Sequence, residues 1–200
     1  MLKCSGGLAS GHGVEYAASR VRHLFIFVVQ EDRSFFPFKD RFELVKAGTA
    51  DLPNVTVLPS GEFIISALTF SGYFQKSSIQ DRIIDPSLDV ELFAKEIAPA
   101  LGITIRFAGE EPLDTITRQY NLTMQTILPQ HNVDFEVIPR LEKGGDVISA
   151  SRVRNLLKAQ DFKSIATLVP KTTLIYLDKK FKNEERPEQG TSSICSFTGS

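Results

Sequence analysis

The segment Ile148-Ser149-Ala150-Ser151-Arg152-Val153-Arg154 carries the densest chemistry in the chain. Ser149 is of the residue type that caps a helix start, Ser151 would fall in the first turn, and Ile148 with Val153 could form a hydrophobic staple. The unpaired N–H groups at such a start, with the helix dipole behind them, favour an anion. Two hydroxyls and the Arg154 guanidinium would complete a phosphate cradle through charge-assisted bonds. Arg152 and Arg154 are two residues apart and point in different directions on a helix, so one of them at most faces the ligand. The plainer alternative is an ordinary capped helix with solvated arginines.

Gly11-His12 is the second candidate, a glycine-rich turn into a helix that could set an imidazole against a phosphate. The dipeptide alone has little specificity. His23, at the start of an apolar run, and His131, in a polar stretch, read as structural or solvated. Glu31, Asp32 and Asp40, and Glu110 with Glu111, lie close to strand ends or a helix start. General acid–base work by any of them needs a pKa moved by burial or a neighbouring charge. Solvated acids are the simpler reading, and Asp40-Arg41 reads as a surface ion pair of little energetic worth. No spacing of His, Cys, Asp or Glu suggests a tightly bound transition metal, so no protein metal site is expected.

These residues need a scaffold, and the apolar pattern supplies one. Leu24 to Val29 is a short, non-alternating run of β-branched and aromatic residues, as in a strand buried on both faces. Phe38, Phe42 and Val45 then recur at helical spacing between Pro37 and Gly48. Residues 54–58 read as a second strand, and Phe63-Ile64-Ile65 as a further strand or a helix entry. Residues 66–87 are irregular. A helix is expected from Leu88 to Leu101, a strand from Ile103 to Ala108 and a helix marked by Ile116, Tyr120, Met124 and Ile127. A strand from Val133 to Ile138, a loop over 139–147 and a helix over 149–158 follow, with shorter helices near 162–168 and 171–181. This alternation predicts an α/β domain with a parallel sheet and helices on both faces. In such sheets ligands bind beyond the carboxyl ends of the strands, here the loops 30–34, 59–62, 109–112 and 139–147.

The chain has 200 residues, 42% of them hydrophobic and 24% charged, with a net charge of -1. That composition fits one globular domain and excludes wholesale disorder. It argues against a general nucleic-acid or membrane-surface binder, which carries a basic excess. No apolar run approaches the ~18–20 residues that cross a bilayer, and the first ten lack the apolar stretch of a secretory signal. Cys4 and Cys195 stand near opposite ends and read as free thiols of a cytoplasmic protein. The domain is expected over 1–182, with 1–13 atypical and 183–200 a disordered polar tail.

Several long segments, in order, resemble the citrate lyase ligase family. They are Phe27 through Ser34, Asp40-Arg41, Leu44-Val45, Gly48 through Asp51, Val55-Thr56-Val57 with Gly61, Ile64-Ile65-Ser66, Phe107 through Pro112, and Ile148 through Arg154. The likeness runs from about Val14 to about Leu177, most of the chain. It implies a Rossmann-like sheet of the nucleotidyltransferase superfamily. It also implies that ATP and acetate form acetyl-adenylate and pyrophosphate, and that the acetyl group passes to the prosthetic-group thiol on the citrate lyase acyl-carrier subunit, leaving AMP. Mg²⁺ would arrive with ATP, held mainly by phosphates. Ser149, Ser151 and Arg154 match an ISxSxxR-like phosphate motif, and Gly109 and Glu110 a loop beside the adenosine. His12 and Arg154 are thus the candidate catalytic residues, and Gly11 lies with the nucleotide. Two alternatives stay open: another small-substrate adenylyltransferase of the superfamily, or a truncated, non-catalytic domain that binds nucleotide or the lyase.

The likeness is weakest at the start. The family opens with a full hydrophobic strand and an Asn-Pro-Phe-Thr-x-Gly-His turn, preceded in its longer members by an acetyltransferase-like domain. Here Cys4 to His12 reads Cys-Ser-Gly-Gly-Leu-Ala-Ser-Gly-His, with Ala9 at the Thr position. Leu2 and Cys4 fall short of the ~5–6 residues of a usual strand. The first strand and turn are therefore expected to be altered or missing, which would leave a groove in the centre of the sheet.

Overall fold

The computed structural model describes residues 2–4, 11–30, 36–66, 68–69, 85–110, 114–139, 142–143, 146–147 and 150–182. Five parallel strands form one sheet in the order β3-β2-β1-β4-β5. They are β1 (Leu2–Cys4), β2 (Leu24–Val28), β3 (Val55–Pro59), β4 (Ile105–Gly109) and β5 (Asp134–Ile138).

Because strand side chains alternate between faces, β2 and β4 feed two cores at once. Leu24 and Ile26 of β2 and Phe107 of β4 are fully buried on one face, against Val14 and Ala17 of α1 (Gly11–Arg20). Val45 of α2 (Phe38–Gly48) packs on the same cluster. Phe27 and Ala108 face the other way, towards Val90 and Phe93 of α3 and Tyr120 and Met124 of α4. The third helix, α3, runs through Ser87–Leu92, a π-helical turn Phe93–Ile97 and Ala98–Ala100. Helix α4 spans Thr115–Ile127; Asp114 caps it by accepting from the Ile116 and Thr117 amides, and a 3-10 turn Leu128–His131 continues it. The edge strand β3 ends on Pro59, whose missing N–H costs nothing at a sheet edge.

A third, smaller core lies among α5 (Ala150–Lys158), α6 (Phe162–Leu168) and α7 (Lys171–Lys182). Val153, Leu157, Ile165 and Leu177 gather there around Phe36, from the segment that leaves β2.

Three expectations are corrected. Leu2–Cys4 is a strand, and it is the central one: Leu2, Lys3 and Cys4 pair with Ile26, Phe27 and Val28, and Leu2 also pairs with Phe107. A strand flanked on both sides draws backbone hydrogen bonds from two neighbours, so a short, weakly apolar one suffices. The centre of the sheet is filled; the turn 5–10 lies outside the described residues. Secondly, Phe63-Ile64-Ile65 is neither strand nor helix but an irregular turn, with Ile65 fully buried at φ 51. Thirdly, the loop after β5 contains a short antiparallel hairpin, Glu142–Lys143 with Asp146–Val147. The expected tail, 183–200, also lies outside the described residues.

Candidate functional site

In the order β3-β2-β1-β4-β5 the chain leaves β1 towards β2 on one side and returns to β4 on the other. The carboxyl end of β1 is therefore where strand order reverses, the place at which open parallel sheets hold their ligands. Helix α1 is the next element after β1 in the chain, and Gly11 and His12 form its start. Gly109 is the last residue of β4, the strand next to β1. One candidate thus opens the helix that follows the central strand, and the other closes the strand beside it. The His12 side chain is outside the described residues.

Gly109 is held on one side by β5, in register with Ile138, and on the other by Asn121 of α4, whose amide donates to its carbonyl at 3.2 Å. The next amide, Glu110 N–H, donates to Ile138 O at 3.0 Å, carrying the strand ladder one residue into the loop. The Glu110 side chain is exposed. A methyl group added at Gly109 would meet no atom of the protein within 4 Å. Its φ is not positive either, so neither packing nor backbone conformation demands glycine there. The space in front of it is open.

The exits of β2 and β3 are stitched together. Gln30 N–H donates to Ser60 Oγ at 3.1 Å, and Ser60 N–H to Val28 O at 2.9 Å. Arg41, which the sequence places on a polar helix face, is instead buried. Its Nη1 donates to Val29 O at 2.8 Å and its Nε to Phe36 O at 3.0 Å, strapping both ends of the segment that leaves β2. The expected Asp40-Arg41 surface pair is therefore not how either residue is used. Asp40 belongs to Lys180 of α7 (2.5 Å), and Lys180 holds its carboxyl below the ordinary range. Glu31, Asp32 and Glu111 lie outside the described residues.

Phe36 also brings α5 to this edge, since it shares a buried cluster with Val153 and Leu157. Ser151 and Arg154 are both on α5, Ser151 in the first turn and Arg154 half-buried one turn on. The Ser149 position and the Ser151 side chain are outside the described residues. Helix α5, whose start was expected to hold a phosphate, thus packs through Val153 and Leu157 on the segment that leaves β2. His23 lies at the other end of β2, where its Nε2 and Thr56 Oγ1 are 2.9 Å apart, and it packs on Phe25; it is structural. Among the described residues no three His, Cys, Asp or Glu side chains gather as a metal site, and no helix is long and apolar enough to cross a membrane.

Sequence reasoning missed Arg41, Asn121 and Ser60, whose roles depend on carbonyls and amides that only the fold brings near. An arginine one turn into an otherwise amphipathic helix carries no signal of burial. Asn121 sits within a glycosylation-type triplet, and nothing in the sequence points it towards Gly109.

A family profile for the citrate lyase ligase C-terminal domain matches residues 7–177. The chain is 41% identical over 180 residues to a [Citrate [pro-3S]-lyase] ligase of Klebsiella pneumoniae, covering 86% of this chain and 52% of that protein. It is 40% identical over 178 residues to the corresponding ligase of Escherichia coli K12, covering 86% and 51%. With that of Haemophilus influenzae it shares 40% over 176 residues, covering 83% and 51%. The chain spans about half the length of the curated relatives it matches. Its mixed α/β architecture, with parallel strands and helices, is consistent with a nucleotidyltransferase-like domain.

Proposed function

This chain belongs to the citrate lyase ligase family, as its C-terminal domain, and we propose that it activates acetate with ATP and delivers the acetyl group to the thiol prosthetic group of the citrate lyase acyl-carrier subunit. The parallel sheet, with its strand order reversing at β1, supports a Rossmann-like nucleotidyltransferase reading of the domain. The observation that carries the reading is the pairing of a helix start after the central strand with an open glycine on the adjacent strand. A triphosphate laid over the α1 start would have its adenosine side towards Gly109 and Glu110. Its outer phosphates would reach the α5 start, with Ser149, Ser151 and Arg154.

The reaction asks little covalent chemistry of the protein. An acetate oxygen attacks the α-phosphorus, and the bond to the bridging oxygen of pyrophosphate breaks. Negative charge grows on the leaving pyrophosphate, where helix N–H groups, hydroxyls and Arg154 stabilise it by position and electrostatics. His12, in the first turn of α1, would bond the α-phosphate oxygens. The carrier thiolate then attacks the acetyl carbon and AMP leaves. Mg²⁺ bound to the triphosphate would neutralise part of its charge, and an ion held mainly by phosphates needs no all-protein cage. A cytoplasmic site of action fits that partner.

Exchange of labelled pyrophosphate into ATP tests the first half-reaction. Exchange that requires acetate supports the reading, whereas exchange that requires a different acid or alcohol makes the chain another adenylyltransferase. The other reading is a domain that binds nucleotide or the lyase without turnover. Acetylation of the carrier thiol by this chain excludes it.

A further inference from the structure

Asp89 is a carboxylate with no exposure to solvent, set in α3 on the inner face of the sheet. Its Oδ1 accepts from the Ile65 amide at 2.5 Å and from the Thr69 hydroxyl at 2.6 Å. Its Oδ2 accepts from the Tyr120 hydroxyl at 2.5 Å, and that hydroxyl accepts from Arg106 Nη2 at 2.9 Å. Arg106, also fully buried, lies over the Phe93 ring, 4.2 Å from its centroid.

A buried charge set of this kind is poor economy as mere stabilisation, since apolar side chains of similar volume would serve about as well. What it does achieve is a defined conformation of the segment leaving β3. Ile65 is β-branched, fully buried and at φ 51, a strained conformation that persists only where the surroundings hold it. The Asp89 carboxylate is the group that holds it. Around it the turn is knitted further: Ser66 Oγ donates to Glu62 O at 2.6 Å and accepts from the amides of Leu68 and Thr69. This turn begins at Ser60-Gly61, on the carboxyl edge of the sheet. The helix that supplies Tyr120 supplies, at the next position, the Asn121 that holds Gly109.

We propose that Asp89 and Tyr120 are positioning residues, which lock the Glu62–Thr69 turn to α4 and thereby set it in register with Gly109 across the nucleotide site. This rests on the nucleotide reading given above. The binding edge is then pre-shaped before ATP arrives, with strain at Ile65 maintained from the core rather than from the ligand.

The test uses Tyr120→Phe, which keeps the ring and removes the one hydroxyl, alongside Thr69→Val, which removes one donor to Asp89 and covers the case in which the first variant does not fold. Amide exchange at Ile65 and Thr69 and calorimetric titration with ATP are measured on the parent and on each folded variant. Exchange at both amides should quicken about tenfold or more, and ATP affinity should fall about five- to tenfold in step. Unchanged exchange in the folded variants overturns the lock. Faster exchange with parental ATP affinity overturns the positioning role and leaves a purely structural one. A parent chain that takes up no ATP overturns the nucleotide reading itself, and with it the proposal, before any variant is compared.

Discussion

Lys180, in the last turn of α7, donates to Asp40, in the first turn of α2, at 2.5 Å, with the Tyr176 hydroxyl 3.0 Å from the same ammonium. The pair is partly shielded, with side-chain exposures of 32% and 25%. It ties the three-helix cluster that carries Arg154 to the helix that carries Arg41.

The pH dependence of this tie has two limits. The hydrogen bond from Lys180 pulls the Asp40 pKa below its ordinary 3.8, so that contribution is present above that value and is lost as pH falls through the lowered one. The bond to Asp40 raises Lys180 above 10.5, and burial followed by the bond to Asp40 raises Tyr176 above 10.0. Their contributions hold below those values and are lost as pH rises through the raised ones. Docking of α7 should therefore be flat across neutral pH and fail at both extremes. Amide exchange of α7 against pH checks this. Asp40→Asn should abolish the acid limb and cost about 0.5–1 kcal/mol at neutral pH, as partly exposed pairs do.

Arg41→Lys should destabilise by about 1–3 kcal/mol in a urea titration. Lysine cannot bridge the carbonyls of Val29 and Phe36 at once, and an unpaired buried carbonyl carries a cost of that size. An effect indistinguishable from zero would mean that the β2 exit holds its shape without the strap.

Gly109→Ala separates folding from binding. The new methyl meets nothing in the protein, so the melting temperature should stay constant or rise slightly, since alanine is favoured over glycine within a strand by about 0.5–1 kcal/mol. ATP affinity should fall about tenfold if the adenosine passes over this residue, a loss of about 1.4 kcal/mol. Undiminished affinity places the nucleotide elsewhere.

Arg154→Ala should weaken pyrophosphate or ATP binding by about 1–3 kcal/mol, the worth of a hydrogen bond to a charged group. Arg152→Ala, two residues away and on a different side of α5, should leave it unchanged. Equal losses for both would indicate a diffuse electrostatic effect instead of one directed guanidinium.

The elements that were legible in the sequence are those whose apolar pattern exceeds one period. Leu24 to Val28 reads as a buried strand because both faces are covered, and α2 begins and ends where Pro37 and Gly48 punctuate it. The central strand was not legible. Its pairing comes from β2 and β4, and three residues with a lysine among them have no pattern of their own. The pairing of Glu142–Lys143 with Asp146–Val147 has its sequence signal in the Gly144-Gly145 dipeptide, a type common between hairpin strands. Ser149, Ser151 and Arg154 stand out by residue type alone, whereas the packing of α5 on Phe36 through Val153 and Leu157 comes from the fold. The Asp89 network was out of reach, because Asp89, Arg106 and Tyr120 belong to three elements; the two charged residues resemble surface ones, and Tyr120 reads as one more apolar position of its helix.

The brevity of β1 has a mechanical consequence. Between β2 and β3 the ladder runs from Leu24 opposite Val55 to Val28 opposite Pro59, and β4 and β5 are matched along their whole length. Between β1 and β4, among the described residues, Leu2 opposite Phe107 is the pairing that joins the two halves. Among the described residues the sheet is thus two fully laddered pairs, β2 with β3 and β4 with β5, joined through a central strand of three residues. A rotation of one pair against the other would disturb fewer of the described ladder pairings at the β1–β4 seam than within either pair. The seam adjoins the carboxyl end of β1, where the strand order reverses.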